Sequence, residues 1–150
     1  MRRDARYYLW AALEAAEAVQ TFVRSKTYEI FLEDDLVRSA VERQLQIIGE
    51  ALSQLFKVDP QMAGSIVELG RIVAFRNILV HGYAAIEHDT VWRLIEDKLP
   101  EVRTNLRMLL RAADPRGTRR KPSSVHVDRT GRVDPFTVVH GRGSIRSFLV

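Results

Sequence analysis

The chain has 150 residues, of which 46% are hydrophobic and 28% are charged, values that are ordinary for one globular domain. No segment approaches the roughly 18 consecutive apolar residues of a membrane-spanning helix, and the basic N-terminus lacks the apolar core of a secretory signal, so we expect a cytoplasmic protein. The absence of cysteine excludes disulfides and thiolate metal sites. No two of the four histidines have the i, i+4 spacing of a helical zinc site, and we predict neither a metal nor a cofactor.

The positive charge is unevenly distributed along the chain. Residues 112–150 contain eight basic and three acidic side chains, a net charge of +5, whereas residues 1–111 contain 15 basic and 16 acidic side chains, a net charge of −1. A high isoelectric point often indicates a nucleic-acid partner, but here the basicity belongs to the C-terminal segment. RNA binding by the rest of the chain would therefore depend on the placement of individual arginines.

Helical periodicity extends over most of the first 113 residues. Residues 4–26 predict a first helix, capped by Asp4, and residues 27–33 predict a junction. Residues 33–57 predict a second, central helix. Its apolar face is formed by Val37, Val41, Ile48, Leu52 and Leu55, and is widened by Ile47, Ala51 and Phe56.

A break at Pro60 separates the central helix from a third helix over about residues 64–80. That helix is predicted to end at His81-Gly82, since glycine commonly follows a helix end. Asp89 is the expected N-cap of a fourth helix, in which Pro100 predicts a kink or a split.

The composition changes after Ala113, where the chain becomes rich in Pro, Gly, Ser and Arg without a period. We predict an all-α protein: an antiparallel bundle of four to five helices over residues 1–113, then a poorly ordered basic tail over residues 114–150. Weak strands at 136–140 and 145–149 are the alternative for parts of the tail.

The segment RNILVHGY at residues 76–83 brings together the polar residues best suited to chemistry. At about 100° per residue, Arg76 and Tyr83 would lie nearly in line on an unbroken helix, and His81 would point about 140° away. Gly82 changes this geometry. If the helix ends at His81, then His81 and Tyr83 can both turn towards Arg76.

These residue types fit the cleavage of RNA, which carries its own nucleophile in the 2′-OH. Histidine is suited to general acid–base catalysis near neutral pH. Arginine contacts phosphoryl oxygens in a bidentate fashion, and Tyr83 and Asn77 are candidates for orienting the phosphate or the histidine. Each residue also has a structural explanation. A histidine at a helix C-terminus often interacts only with the helix dipole, and an arginine within a helix is usually solvated or salt-bridged.

Other polar and small residues favour structural roles. Gly49 lies inside the second helix, which favours a close helix–helix crossing. We expect Glu50 to pair with a basic residue of the bundle, and we expect Asp34 and Asp35 to place negative charge at a helix N-terminus.

The segments 31–52 and 76–102 resemble the HepT-like toxins of the HEPN superfamily, whose signature is Arg, four residues, His, one residue, Tyr. The first segment contains the Gly49-Glu50-Ala51 triplet and the second contains RNILVHGY. The resemblance covers about residues 4–111 and does not extend into the tail.

This resemblance implies a homodimer of helical bundles whose two motifs form one cleft. The implied activity is metal-independent endoribonuclease cleavage of tRNA or mRNA by the toxin of a type II/VII-like toxin–antitoxin pair. Arg76 would be the phosphate clamp, His81 the general acid/base, and Asn77 and Tyr83 substrate-positioning residues. The implied antitoxin is an MNT-type nucleotidyltransferase that transfers AMP from ATP to the motif tyrosine, here Tyr83, and so blocks the cleft with an anionic group.

Two alternatives remain open. In the first, the chain is a non-catalytic HEPN subunit that binds a nucleotidyltransferase, although such a subunit has no chemical need for His81. Alternatively, the tail binds RNA through Arg119, Arg120 and Lys121 and the bundle only dimerises, although charge runs are usually just solvated.

Overall fold

The computed structural model describes residues 5–81 and 87–113, and for His81 it describes the backbone alone. These ranges are helical and contain no β-strand, which confirms the all-α prediction for this part of the chain. The long helices are α1 (Ala5–Val23), α3 (Asp35–Val58), α5 (Leu69–His81) and α7 (Leu99–Ala113), and the short ones are α2 (Tyr28–Glu33), α4 (Pro60–Gly64) and α6 (His88–Arg93). The predicted tail over 114–150, its alternative strands and the Asp4 cap lie outside the described residues.

The central position of α3 in the bundle follows from its contacts. It packs against both α1 and α5, and α1 also packs against α7. The predicted apolar face is buried at Val41, Ile48, Ala51, Leu52 and Leu55. The prediction that Phe56 widens this face is wrong: the residue is 54% exposed, although it lies one turn from Leu52, because it stands in the last turn of α3, which ends at Val58.

A short helix, α2, replaces the predicted junction between the first two long helices. Its N-cap is Thr27, whose side chain accepts a hydrogen bond from the Ile30 amide at 3.4 Å. Phe31 is completely buried, with its ring centroid 5.1 Å from that of Trp92, and Tyr28 lies 6.1 Å from the same indole. Six residues are too few to show a helical period, so the sequence pattern did not predict this helix.

The break at Pro60 is confirmed, but the chain there forms the short helix α4. Asp59 caps it by accepting a hydrogen bond from the Met62 amide at 2.9 Å, and Pro60 occupies the first helical position, where its missing N–H has no consequence. The third long helix begins at Leu69 rather than near residue 64. Glu68 has a φ of 61°, a left-handed conformation that a right-handed helix cannot contain.

The last helical segment differs from prediction at its cap, and of the kink or split predicted at Pro100 it does not show the split. Glu87 is the N-cap of α6, not Asp89, which lies in the first turn and pairs with Arg93 at 2.8 Å. Pro100 does not split the helix. A π-helical turn, Leu94–Lys98, connects α6 to α7 and ends two residues before Pro100. The changed hydrogen-bond pattern of this turn accommodates a residue that has no backbone N–H to donate.

No helix in the described ranges is both long enough and apolar enough to cross a bilayer.

Candidate functional site

The backbones of α3 and α5 approach each other closely at Gly49. A Cβ added to Gly49 would lie 2.3 Å from the Cβ of Arg76, 2.8 Å from its Cγ and 3.4 Å from the Ile72 carbonyl oxygen. No larger residue fits without displacing α5, which confirms the predicted close helix crossing. The glycine therefore allows the stem of the motif arginine to lie against the α3 backbone.

The guanidinium of Arg76 has two polar partners. Its Nη2 lies 2.6 Å from Oε2 of Glu50, and its Nη1 donates a hydrogen bond to Oδ1 of Asn77 at 2.9 Å. The arginine side chain is 30% exposed and the glutamate side chain 21%. The arginine is consequently half-buried and salt-bridged, with its guanidinium anchored at both terminal nitrogens.

Glu50 has a second partner on its own helix. Nε2 of Gln54 donates a hydrogen bond to Glu50 Oε1 at 2.7 Å, one helical turn along α3. The expected pairing of Glu50 with a basic residue is confirmed. That the partner is Arg76 could not be predicted from the sequence, because the two residues lie on different helices.

The structure describes the remaining motif residues less completely. Helix α5 contains both Arg76 and His81, and a separation of five residues corresponds to a rise of about 7.5 Å. Nε2 of Gln46 donates a hydrogen bond at 3.4 Å to the Leu79 carbonyl, which connects the last turn of α5 to α3. The His81 side chain, Gly82 and Tyr83 lie outside the described residues, so their convergence on Arg76 stays a prediction.

The Glu50–Arg76 pair reduces the net positive charge at the site. The two charges offset each other, so this part of the surface attracts anions less strongly than an isolated arginine would. A guanidinium has five N–H donors, of which the two contacts use one on each terminal nitrogen. Three donors are not used by these two contacts, and the side chain is 30% exposed, so the guanidinium keeps hydrogen-bonding capacity beyond Glu50 and Asn77.

His88 is separate from the Arg76 cluster. Its Nδ1 lies 4.0 Å from Oε1 of Glu42, and Glu42 precedes Glu50 by eight residues, or about 12 Å along α3.

Within residues 5–81 and 87–113, no three His, Asp or Glu side chains are grouped in a way that could hold a metal ion. The acidic pair at the start of α3 behaves as expected, since Asp34 caps the helix and Asp35 lies in its first turn.

Comparison with known proteins places this chain in a family. A family model described as "Ribonuclease HepT-like" matches residues 12–109. The chain is 31% identical over 108 residues to a Methanocaldococcus jannaschii protein named "Putative RNase MJ1380", covering 72% of this chain and 98% of that protein. It is 29% identical over 103 residues to a Thermococcus cleftensis protein named "Probable ribonuclease HepT", covering 69% and 93%.

No solved structure gives a significant match to the chain. The family match includes α3 and α5 and therefore the Gly49 crossing, the Glu50–Arg76 pair and the whole RNILVHGY segment. It ends at residue 109, so it does not include residues 114–150. The chain belongs to the HepT-like ribonuclease family of the HEPN superfamily.

Proposed function

We propose that this chain is a metal-independent endoribonuclease that acts as the toxin of a toxin–antitoxin pair and cleaves tRNA or mRNA in the cytoplasm. The observation that supports the proposal most directly is the anchored guanidinium of Arg76, 2.6 Å from Glu50, on the same helix as His81. An arginine that is already held in place before the substrate binds is preorganised to contact a phosphoryl group. The HepT-like family match supports RNA as the substrate.

The proposed reaction uses the 2′-OH of RNA as nucleophile. His81 removes the 2′-OH proton, the 2′-oxygen forms a bond to the adjacent phosphorus, and the bond from phosphorus to the 5′-oxygen breaks. A second histidine, in its protonated form, donates a proton to the leaving 5′-oxygen. Arg76 stabilises the charge that develops on the phosphoryl oxygens, and the products are a 2′,3′-cyclic phosphate and a 5′-hydroxyl.

Because each chain has one motif histidine, the reaction requires a homodimer in which one His81 is the base and the other the acid. The surface of α5 supports this arrangement. Val80, one turn along α5 from Arg76 and therefore on the same face of the helix, is 39% exposed, and an exposed apolar side chain beside the motif arginine is available for a protein interface. Such a dimer would place two Arg76 side chains in one cleft.

We propose further that a nucleotidyltransferase antitoxin neutralises the enzyme by transferring AMP to Tyr83. The α-phosphorus of ATP would form a bond to the tyrosine oxygen, pyrophosphate would leave, and the phenolic proton would pass to solvent. Co-expression with a nucleotidyltransferase from the same locus, followed by intact-mass measurement, tests this. Parent chain should gain AMP, Tyr83→Phe should not, and modification of Tyr83→Phe would contradict the assignment.

A non-catalytic binding subunit is the second candidate, and one observation favours it. Arg76 already has Glu50 and Asn77 as partners, as expected of an arginine whose role is to connect two helices. In that case His81 would contribute nothing to RNA cleavage, which separates the two candidates.

The decisive experiment is cleavage of a labelled RNA by purified His81→Ala in the presence of EDTA. We expect the parent to cleave and His81→Ala to lose cleavage while keeping its thermal unfolding midpoint. His88→Ala is the matched control, since His88 packs near Glu42, and it should cleave like the parent. Equal cleavage by His81→Ala and the parent would refute catalysis by His81, and loss of parent activity in EDTA would refute metal independence.

A further inference from the structure

The carboxylate of Glu50 lies between two hydrogen-bonding partners. Oε1 accepts a hydrogen bond from Gln54 at 2.7 Å and Oε2 lies 2.6 Å from Nη2 of Arg76. Both oxygens are thus occupied, and the Glu50 side chain is only 21% exposed. Because Gln54, on the same helix, holds one oxygen of this half-buried carboxylate, the other oxygen, which faces Arg76, has little freedom to move.

Arg76 is restrained at both ends of its side chain. The absence of a side chain at Gly49 leaves the Arg76 Cβ and Cγ directly against the α3 backbone. At the other end, Glu50 holds Nη2 and Asn77 holds Nη1. A long side chain that would otherwise sample many rotamers is therefore confined to one orientation.

We propose that Glu50 is a positioning residue for RNA cleavage, which it serves by holding the Arg76 guanidinium in the orientation that meets the phosphoryl group. The inference rests on the proposed function, because the orientation matters only if Arg76 contacts RNA. Glu50 also offsets the positive charge of Arg76, so its removal has two opposite effects. Without the carboxylate, Arg76 attracts RNA more strongly but is less well oriented when the phosphoryl charge develops.

These opposite effects predict a particular kinetic signature in Glu50→Gln, which keeps the size of the side chain and removes its charge. We expect kcat to fall about ten- to hundredfold, since small misplacements of a catalytic group have effects of that size. KM should stay the same or fall. A salt bridge that only stabilised the bundle would leave kcat of the folded variant unchanged.

The test compares full-length variants on one RNA oligonucleotide. Glu50→Asp, which keeps the charge, should recover part of the lost kcat. Glu68→Gln is the matched control: its side chain is 23% exposed and lies 3.2 Å from Nε of Arg71, and its loss should leave kcat unchanged. Gln54→Ala, which removes the support behind Glu50, should lower kcat in the same direction but less, and it provides the test if Glu50→Gln does not fold.

Side-chain NMR without RNA separates this inference from the proposed function. In the parent, rotation of the Arg76 guanidinium, assigned with Arg76→Lys, should be slow, and in Glu50→Gln it should be fast. If the parent cleaves RNA and folded Glu50→Gln retains the parental kcat, the positioning role is refuted. If the parent does not cleave RNA, the proposed function fails, and equal rotation rates in the two proteins would then refute the holding of Arg76 by Glu50 as well.

Discussion

Gly49 on α3 and Arg76 on α5 are in direct contact, with no space for a methyl group between them. A Cβ at Gly49 would lie 2.3 Å from the Cβ of Arg76, which is the stem of the side chain and not its flexible end. The next residue, Glu50, then reaches the guanidinium of the same arginine. Two adjacent residues of α3 thus determine where the arginine stem lies and where its charge points.

Gly49→Ala should lower both stability and RNA cleavage. Alanine improves helix propensity by roughly 0.5–1 kcal/mol, but overpacking at a closed helix crossing costs about 1–3 kcal/mol, so the net effect is destabilising. Displacement of α5 should also lower kcat through Arg76. Urea unfolding and RNA cleavage assays measure the two effects.

The control for this prediction is Gly70→Ala, on α5. A Cβ there would meet no atom within 4 Å, so the propensity term acts alone and the free energy of unfolding should rise or stay constant. A Gly49→Ala protein as stable and active as the parent would contradict the close crossing.

Glu17→Ala should destabilise the contact between α1 and α7. Glu17 Oε2 accepts a hydrogen bond from Nη2 of Arg103 at 2.9 Å, and its other oxygen pairs with Arg107. The Arg103 side chain is 18% exposed, so removal of its carboxylate partner leaves a largely buried charge. We expect a loss of about 1–3 kcal/mol in the free energy of unfolding, measured with urea.

The comparison for Glu17→Ala is Arg93→Ala, which removes an exposed pair. The Arg93 and Asp89 side chains are 72% and 49% exposed, and pairs of this kind contribute about 0–1 kcal/mol. If the two variants lose the same stability, the α1–α7 ion pair contributes no more than a surface contact.

Asp34 should make the stability of the protein depend on acid pH. The hydrogen bond from the Val37 backbone N–H holds the pKa of Asp34 below its ordinary value, and a hydrogen bond from Lys26 and its charge act in the same direction. A carboxyl with a depressed folded-state pKa stabilises the fold above its unfolded-state pKa, and this contribution is lost as the pH falls through the folded-state pKa. Asp34→Asn should be less stable than the parent at neutral pH and equally stable in strong acid.

Thermal unfolding midpoints of the parent and Asp34→Asn, measured from neutral pH to strong acid, test the prediction. Lys26→Met should keep most of the parental pH dependence, since the Val37 hydrogen bond is the largest cause of the shift. A difference between Asp34→Asn and the parent that does not change with pH would show that the charge of Asp34 does not stabilise the helix.

Deletion of residues 114–150 should leave a folded protein. The last buried side chains of α7 are Leu99, Val102 and Leu106, and the family match ends at residue 109, before the deletion begins. Circular dichroism and size-exclusion chromatography should show the parental helicity, with the proposed dimer retained. An insoluble or monomeric truncated chain would contradict this division of the chain.

The same truncated protein tests whether the tail binds RNA. It loses a net charge of +5, so its affinity for RNA should fall and become less dependent on salt. Retained cleavage at saturating RNA would place catalysis in the helical body, whereas complete loss would support the tail as the RNA-binding element.

Periodicity was sufficient to predict the long helices and most of their buried faces. The apolar spacing from Val41 to Leu55 identifies one face of α3, because side chains three and four residues apart lie on the same side of a helix. The RNILVHGY motif and its resemblance to HepT-like proteins were likewise visible in the sequence, and the family match confirms the resemblance.

Tertiary contacts and local backbone conformation determined the remaining features. Helix α2 depends on the packing of Phe31 and Tyr28 against Trp92, and the start of α5 depends on the left-handed backbone of Glu68. Neither feature has a periodic signature in its own segment. For the same reason, the sequence alone identified Glu50 and Arg76 as charged residues 26 positions apart. Only the crossing of α3 over α5 at Gly49 determines that these two charges meet, because a salt bridge between helices requires the distance and orientation that tertiary packing supplies.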